Sequence, residues 1–490
     1  MTPREPGLGR RTPAARGGTI GSVAVLTAAL CLFIVSLCCG AAHAQQPAAS
    51  AGIAPAYKLF RFDEDYRSLR DRANHRDFWD ALKYVPLGDD PGWFLSIGGE
   101  VRERFEYYSH PGLGLQGQSP NAYLLQRLLL HADLHAGDYV RAFVQLGSHL
   151  VPWKDFAAPP YLDALDVQQA FVDLRLPLGI TSDPILRIGR QEMAYGSQRL
   201  VSIRDAPNVR RNFDGLRLRG TVGDLRIDVF ATRPVQQRSG AFDDSGDLTQ
   251  GFWGAYATMP LRLVTGGNLD LYYLGYTNQQ ARFAAGTGEE WRHTIGGRFF
   301  GAAGGWDWDW EVLGQFGTFA AQSIRAWGVS TDTGYSFGLG GWTIRIGLKA
   351  DIGSGDDNLR DGTLGTLNPL FPKLAYFNQA ALLGPSNVMD LQPTLTLRPS
   401  QNLVVTLGYD FLWRTTTADA IYTGTGIPIA GTAGQPDRYT GSQVAVDVTW
   451  QVDRHFQIGL GYVHLSAGNA LRQAGGRDVD FVYFSGTYRF

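Results

Sequence analysis

The sequence predicts an all-β fold: a transmembrane antiparallel β-barrel of about eighteen strands, with short periplasmic turns and long extracellular loops. Three observations predict it. Segments that alternate apolar and polar residues recur from residue 93 to the end of the chain, which is the signature of a strand with one apolar face. The connections between them are short and long in turn. The closing stretch, 482–490, alternates to its last residue and ends on an aromatic. Val482, Phe484, Gly486, Tyr488 and Phe490 suit lipid, and Tyr483, Ser485, Thr487 and Arg489 suit water, with Arg489 expected at the periplasmic rim of the lumen.

Composition agrees. Beyond the N-terminus no apolar run is long enough for a transmembrane helix. Gly reaches 61 and aromatics 12%. Mean hydropathy is -0.14, too polar for a helical membrane protein but natural for a barrel whose strands turn half their residues to water. Net charge is -2, so any basic field has to be local.

Taken in order, the chain opens on a targeting segment. Arg4, Arg10, Arg11 and Arg16 precede a mostly apolar stretch at 20–35, and Ala42-His43-Ala44 fits a small-x-small cleavage site before Gln45. Residues 1–44 therefore read as a signal peptide. Cys31, Cys38 and Cys39 all fall within it, and Leu37 stands where a lipoprotein signal wants a small residue. The mature chain then carries no cysteine, hence no disulfide and no thiol site. Residues 45–92 are polar, with a helix-like patch at 65–84, and read as a periplasmic lead-in.

The barrel is expected over 93–490. Its segments lie near 93–108, 122–135, 139–150, 167–176, 185–192, 213–221, 224–232, 251–259, 268–278, 291–301, 306–317, 323–333, 341–352, 388–398, 402–414, 440–451, 454–466 and 479–490. The clearest is 306–317. Trp306, Trp308, Trp310, Val312, Gly314 and Phe316 share one face, and Asp307, Asp309, Glu311 and Gln315 the other. Alternating Trp at one strand end suits an interfacial girdle, and the acids suit a wet lumen. After even-numbered strands the connections are short, as at 137–138, 223, 302–305, 400–401 and 452–453. After odd-numbered ones many are long, as at 109–121, 151–166, 193–212, 233–250, 353–387 and 415–439. That sorting puts both termini in the periplasm. It also leaves no loop on that side long enough for a lid.

Strand parity turns Arg102, Arg104, Arg127, Arg141, Arg187, Arg217, Arg219, Arg345, Arg398 and Arg414 inward, with Asp173, Asp228, Asp410 and Asp447 as counter-charges. The segment 189–215 adds Arg190, Arg199, Arg204, Arg210 and Arg211 among Glu192, Asp205 and Asp214. A loop so charged is expected to fold into the lumen, where internal pairing holds it, the alternative being a solvated extracellular loop. The apolar, proline-containing run Asn368-Pro369-Leu370-Phe371-Pro372-Lys373 reads as a plug or cap, or else as a partner patch. Only five lysines occur, Lys58, Lys83, Lys154, Lys349 and Lys373. Arginine suits carboxylate recognition through its planar fork, although base composition alone also favours it. For any single Arg the alternative is an ion pair bracing the wall.

No metal or cofactor is expected. Asp351, Asp356 and Asp357 lack the ligand pattern of an EF-hand, and His131, His135 and His149 have no acids at metal spacing. Nor is an enzyme expected, since Ser148 and His149 are adjacent on a strand and point to opposite faces.

Six motifs in order carry a family resemblance. They read EDYRSLRDR at 64–72, SIGGEVRERFE at 96–106, LRIGRQEMAYGSQRL at 186–200, RDAPNVRRNFDG at 204–215, LNPLFPKLAYF at 367–377 and DFLWRTTTADAIY at 410–422. Together the chain resembles the alginate export family of outer-membrane porins. The resemblance implies a single-chain eighteen-stranded barrel whose Arg-lined pore exports an anionic, alginate-like polysaccharide. The runner-up is a general or anion-selective porin for small solutes. The pore-lining residues expected are Arg102, Arg104, Arg127, Arg187, Arg190, Arg210, Arg211, Arg217, Arg345 and Arg414, with Asp173, Asp214 and Asp410. Expected partners are outer-membrane lipid and lipopolysaccharide, the polysaccharide, the barrel-assembly machinery through Phe490, and periplasmic export proteins. Nucleic acid is not expected, and the barrel is expected to be a monomer. The cleavage reading has a direct check: intact-mass and N-terminal peptide analysis of the membrane-extracted protein finds a chain that starts at Gln45.

Overall fold

The computed structural model describes residues 57–490 except 116, 118, 156, 158, 159, 178 and 180. The signal peptide and its cleavage site lie outside the described residues. Eighteen long strands follow in order. They are β1 (Trp93–Tyr108), β2 (Asn121–Ala136), β3 (Val140–Leu150), β4 (Asp163–Arg175), β5 (Ser182–Gln191), β6 (Phe213–Val222), β7 (Leu225–Gln236), β8 (Gln250–Pro260) and β9 (Gly267–Phe283), then β10 (Gly286–Ala303), β11 (Trp306–Phe319), β12 (Gln322–Leu339), β13 (Trp342–Gly353), β14 (Val388–Ser400), β15 (Leu403–Trp413), β16 (Tyr439–Gln451), β17 (Phe456–Ala467) and β18 (Val479–Arg489). Each pairs antiparallel with its sequence neighbours, and β18 pairs back onto β1. The sheet has no edge, the only way strands satisfy their backbone in hydrocarbon.

All eighteen segments read from the sequence are strands. One end of the barrel carries only short turns, such as 223–224, 304–305 and 401–402. The other end carries long loops, including 192–212, 237–249, 354–387 and 414–438. Two connections at that end are tight instead. β9 and β10 run 17 and 18 residues and meet through 284–285, and β11 and β12 meet through 320–321. Residues 279–290, read as a connection, are therefore mostly strand.

The outer surface follows the alternation. Trp306, Trp310, Val312 and Phe316 point outward, while Glu311 and Gln315 are buried inside. Exposed Trp93, Tyr139, Trp306, Trp342 and Trp450 ring the short-turn end, and Trp291, Trp327 and Tyr439 ring the loop end. Between them lie aliphatic residues such as Leu130, Val229, Ile295, Ile346 and Leu407. Two aromatic belts around an aliphatic band match a bilayer.

The lumen is not empty. An apolar cluster of Met193, Leu200, Val201, Phe213, Phe230, Phe252, Tyr256, Tyr272, Leu274, Tyr276, Leu313, Leu367 and Phe371 packs loops 192–212 and 354–387 against the β6–β11 wall. Residues of 354–387 and 414–438 form a second cluster with β17 and β18 near the loop end.

The lead-in closes part of the opposite mouth. Phe62 inserts edge-on between Phe143 and Phe171, at centroid distances of 5.9 and 5.3 Å, and the Arg187 guanidinium lies 4.0 Å above it. Arg61 donates to the carbonyls of Gly99 and Phe490, each at 2.9 Å. Asp77 and Asp80 hold Arg454 in the β16–β17 turn at 2.6 and 3.1 Å. A lid of a different origin thus occupies the side where the turns are too short to form one.

Two expectations for the terminal strand are corrected. Phe490 does not face lipid: it is 6% exposed and stacks on Trp79 at 4.3 Å. Arg489 is not confined to the rim: its backbone stands beside the β16–β17 turn, its N–H donating to the His455 carbonyl at 2.9 Å, but its side chain points into the lumen. β18 stops level with Glu100, partway along β1, so Arg489 meets Glu100 at 2.9 Å within the lumen. The stagger of a closed barrel puts strand ends at different heights, and alternation alone does not report height. Phe62→Ala weakens the seating of the lead-in by about 3–5 kcal/mol. Amide exchange then speeds up over 57–84 and not over the strands; equal exchange in mutant and wild type would mean that this nest does not hold the lead-in.

Candidate functional site

The site begins where β5 and β6 bend inward. Gly189 and Gly215 face each other across that pair, at φ of 131° and 154°. A Cβ at either would lie 2.2 or 2.3 Å from a carbonyl of the next strand. Only glycine allows so close an approach, and it releases loop 192–212 into the lumen.

That loop is tied to both walls. On one side Arg127 donates to Glu100 at 2.8 Å and to Asp205 at 2.9 Å. Arg102 donates to the carbonyls of Asp205 and Pro207 at 3.0 and 2.9 Å. Asn208 donates to the carbonyls of Gln126 and Leu150 at 2.9 and 3.0 Å. Arg210 closes the network onto Asp205 at 2.6 Å. On the far side Arg199 reaches Asp309 and Glu311 of β11 at 2.8 and 3.0 Å. Burial would raise the Asp205 carboxyl, but Arg127, Arg210 and Arg102 outweigh it and hold it well below the usual range. Burial pushes Glu192 up to about 7 against the pull of Arg210.

Loop 354–387 meets this strap in mid-lumen. Phe371 exchanges backbone hydrogen bonds with Leu200 and Ser202, both 2.9 Å. Lys373 donates its N–H to Gln198 at 3.1 Å. Asn368 receives its fold from Gln315 of β11, whose side chain accepts its N–H at 3.0 Å. Leu370 and Gln198 hold left-handed φ values of 59° and 63° at this junction, a strain that the surrounding contacts support.

The two loops press against the β6–β11 wall and leave a polar cavity of about 270 Å3 on the other side. Arg102, Arg104, Arg127, Arg489 and Lys373 converge on it, with Asp205 and Asp447 among them. Arg104 stacks 4.0 Å over the Tyr483 ring and pairs with Glu106 at 2.6 Å. Tyr483 in turn donates to Asp447 at 2.5 Å. Burial, with Lys349 and Arg199 adding to it, pushes Lys373 down to about 8. Arg127 is taken up by Glu100 and Asp205, so what the arrangement offers an anion is the guanidinium groups of Arg102, Arg104 and Arg489 and one titratable amine, Lys373.

Of the other candidates, Arg217 pairs with Asp228 at 2.5 Å and lines a second cavity of about 510 Å3 with Arg219, Arg226 and Arg298. Arg187 is taken up by Asp173, at 2.7 Å, and by the lead-in nest. Arg190 holds Asp214 at 2.9 Å. Arg211 is half-buried, 5.1 Å over Phe371. Arg345 braces Asp307 and Asp332 at 2.5 and 2.8 Å, and Arg141 braces Asp133. Asp410 is fully buried beside Gln443, and Arg398 is exposed. Arg414 lies in a cage of loop carbonyls from Thr417, Asp419, Thr432, Gln435 and Asp437. It stands one residue beyond β15, where strand parity no longer sets direction. Sequence reasoning missed Lys373 as a cavity residue and placed Arg489 too far from it. Arg292, fully buried with Glu290 at 2.5 Å, was also missed.

A closed barrel, apolar outside and charged within, defines the class of outer-membrane channels. The solved structures that resemble it are of that class. Acinetobacter baumannii OccAB1 superposes at a TM-score of 0.54 with 13% identity, over 84% of this chain and 99% of that one. Pseudomonas aeruginosa OccK11 (OpdR) does so at 0.53 with 13% identity, over 81% and 96%. P. aeruginosa OpdK, solved with vanillate, does so at 0.50 with 14% identity, over 80% and 98%. A search of curated protein sequences finds no match. The family model for alginate export matches residues 94–485, and the chain belongs to that family.

Arg127→Ala breaks the buried pair with Glu100, a loss of up to about 3–5 kcal/mol, and removes one of the ties to Asp205, while Arg489 stays on Glu100 and Arg210 on Asp205. Loop 192–212 then detaches from the β1–β2 wall, read as faster amide exchange confined to that loop. Unchanged exchange there would show that the apolar cluster alone holds it.

Proposed function

We propose that the protein is an anion-selective channel that exports a uronate-type polysaccharide, with both termini on the periplasmic side. The convergence of Arg102, Arg104, Arg127, Arg489 and Lys373 on one cavity carries this reading. A polyuronate brings one carboxylate per sugar. Each must lose water and find donors, which guanidinium forks supply. Asp205 and Asp447 stand among the cations and keep any one of them from binding so tightly that the chain stops. Thr449, Gln457, Ser485 and Thr487 line the same cavity and offer partners to sugar hydroxyls. Segment 374–379 forms part of the lining and is tied to the wall through Gln379 to Arg104 at 3.4 Å and Asn378 to Gln443 at 2.7 Å. In this reading it swings aside as a chain passes.

The cavity volume favours a second reading. At about 270 Å3 it lies just below the range of ordinary small-ligand sites, about 300–1,000 Å3, and suits a small carboxylate as well as one unit of a chain. OpdK, solved with vanillate, belongs to the same fold class.

Planar-bilayer recording separates the two. Export predicts an anion-selective reversal potential and current block by oligouronates at far lower concentration than by the monouronate. A small-solute porin passes the monouronate and shows no chain-length preference in block. A channel without anion preference would sink the export reading and leave only a general small-solute porin. Because Lys373 is pushed down to about 8, its charge disappears as pH rises through that value. Anion preference then falls between pH 7 and 9, and Lys373→Met removes this step; a step that survives in the variant belongs to another group.

A further inference from the structure

We propose that the loop end of the barrel holds a divalent-cation site, built by Asp166, Asp243 and Asp244 with the buried Asp163 beside them, that takes Ca2+. It is separate from the cavity above. Loop 237–249 leaves β7, passes over the ends of β5 and β6, and docks on the start of β4. There Phe242 donates to the carbonyl of Leu165 at 2.9 Å, and Ala164 to that of Gly240 at 3.0 Å. The docking is latched by Asp166, whose Oδ2 accepts the N–H groups of Asp243 and Asp244 at 2.9 and 3.0 Å. One carboxylate oxygen from each of Asp166, Asp243 and Asp244 then lies within 4.8 Å of the others.

Hydrogen bonding explains the latch but not the rest of the charge. Asp163 is only 2% exposed, and its Oδ1 has no hydrogen-bond partner. Its carboxylate lies within electrostatic range of Asp166, Asp243 and Asp244. Asp243 Oδ1 is also shielded and without a partner. The cations nearby are committed elsewhere. Arg190 approaches Asp166 at 3.6 Å, but grips Asp214 through Nε and Nη2 at 2.9 and 3.2 Å. Arg238 bonds the carbonyl of Asp243 and the side chain of Gln236. His149 faces Asp163 from β3 at 3.8 Å. Asp166 Oδ1 also accepts the N–H of Val167, and Asp244 Oδ1 that of Arg238, both at 2.6 Å, which leaves Asp163 Oδ1 and Asp243 Oδ1 without a donor and the edge of one guanidinium as the countercharge.

A buried acid without a donor is costly, and a hard cation relieves it. The donors are oxygens, which excludes the preferences of soft metals. Asp243 and Asp244 are half-buried, so water can complete the shell. Irregular oxygen donors with water suit Ca2+, which accepts six to eight ligands, better than Mg2+, which demands a near-octahedral set. The donors come from residues far apart in sequence, so no spacing motif announces them. A bound ion would clamp loop 237–249 to β4.

The test uses the full mature chain, refolded in detergent free of lipopolysaccharide, with CaCl2 as the probe. Calorimetry is expected to show one saturable site with a Kd of about 0.1–1 mM, the range of extracellular calcium modules. Ca2+ should also slow amide exchange in 237–249. In the Asp243→Asn/Asp244→Asn double variant the affinity falls at least about tenfold and the exchange effect disappears. Asp163→Asn, which leaves the latch intact, also weakens binding. Absence of saturable heat up to about 10 mM Ca2+, well above that range, would overturn the proposal. So would binding that is equal in wild type and both variants, or binding that leaves exchange in 237–249 unchanged.

Discussion

A sheet in lipid cannot leave an edge unpaired, and everything else in this protein follows from how that constraint is met. Closing eighteen strands satisfies every ladder but makes a ring wider than its own side chains can fill. The interior must therefore be built from something other than the wall. Here it is built from two long loops and the lead-in. Phe213, Phe230, Phe252 and Tyr276 of the wall supply one half of an apolar core, and Met193, Leu200, Leu367 and Phe371 supply the other. Filling one side of the ring leaves the polar cavity against β1, β2 and β16–β18.

Electrostatics then decides which arginines are available. Arg127, Arg187, Arg292 and Arg414 are each 1% exposed or less, and each has carboxylate or carbonyl partners. A guanidinium at such depth without partners would be far more costly than the pair is stabilising. Most of the basic residues thus hold the loops and the wall in place. Only those with a face left on the cavity are free to meet an anion there.

The fold was legible because a barrel strand has to alternate and because its connections differ on the two sides of a membrane. The outward Trp306, Trp310 and Phe316 and the inward Glu311 and Gln315 follow directly from that rule. Depth was not legible. Arg489 and Phe490 end the strand beside a short turn, but the burial of Phe490 under Trp79 and the reach of Arg489 to Glu100 depend on the stagger that all eighteen pairings set together. Arg414 was read by parity one residue past the point where parity applies. Lys373 was seen only as the end of an apolar run. The seating of Phe62 between Phe143, Phe171 and Arg187 depends on residues 81 or more positions away, beyond any local pattern.

The clasp of Arg61 and Trp79 on Phe490 has a consequence for the order of biogenesis. The first described segment of the chain sits on the last residue. It can do so only once β18 is in place beside β1 and nothing else holds that residue. The N-terminal segment, although made first, is thus the last part to find its position. Its seating then covers the Phe490 ring, which stacks on Trp79 instead of facing lipid.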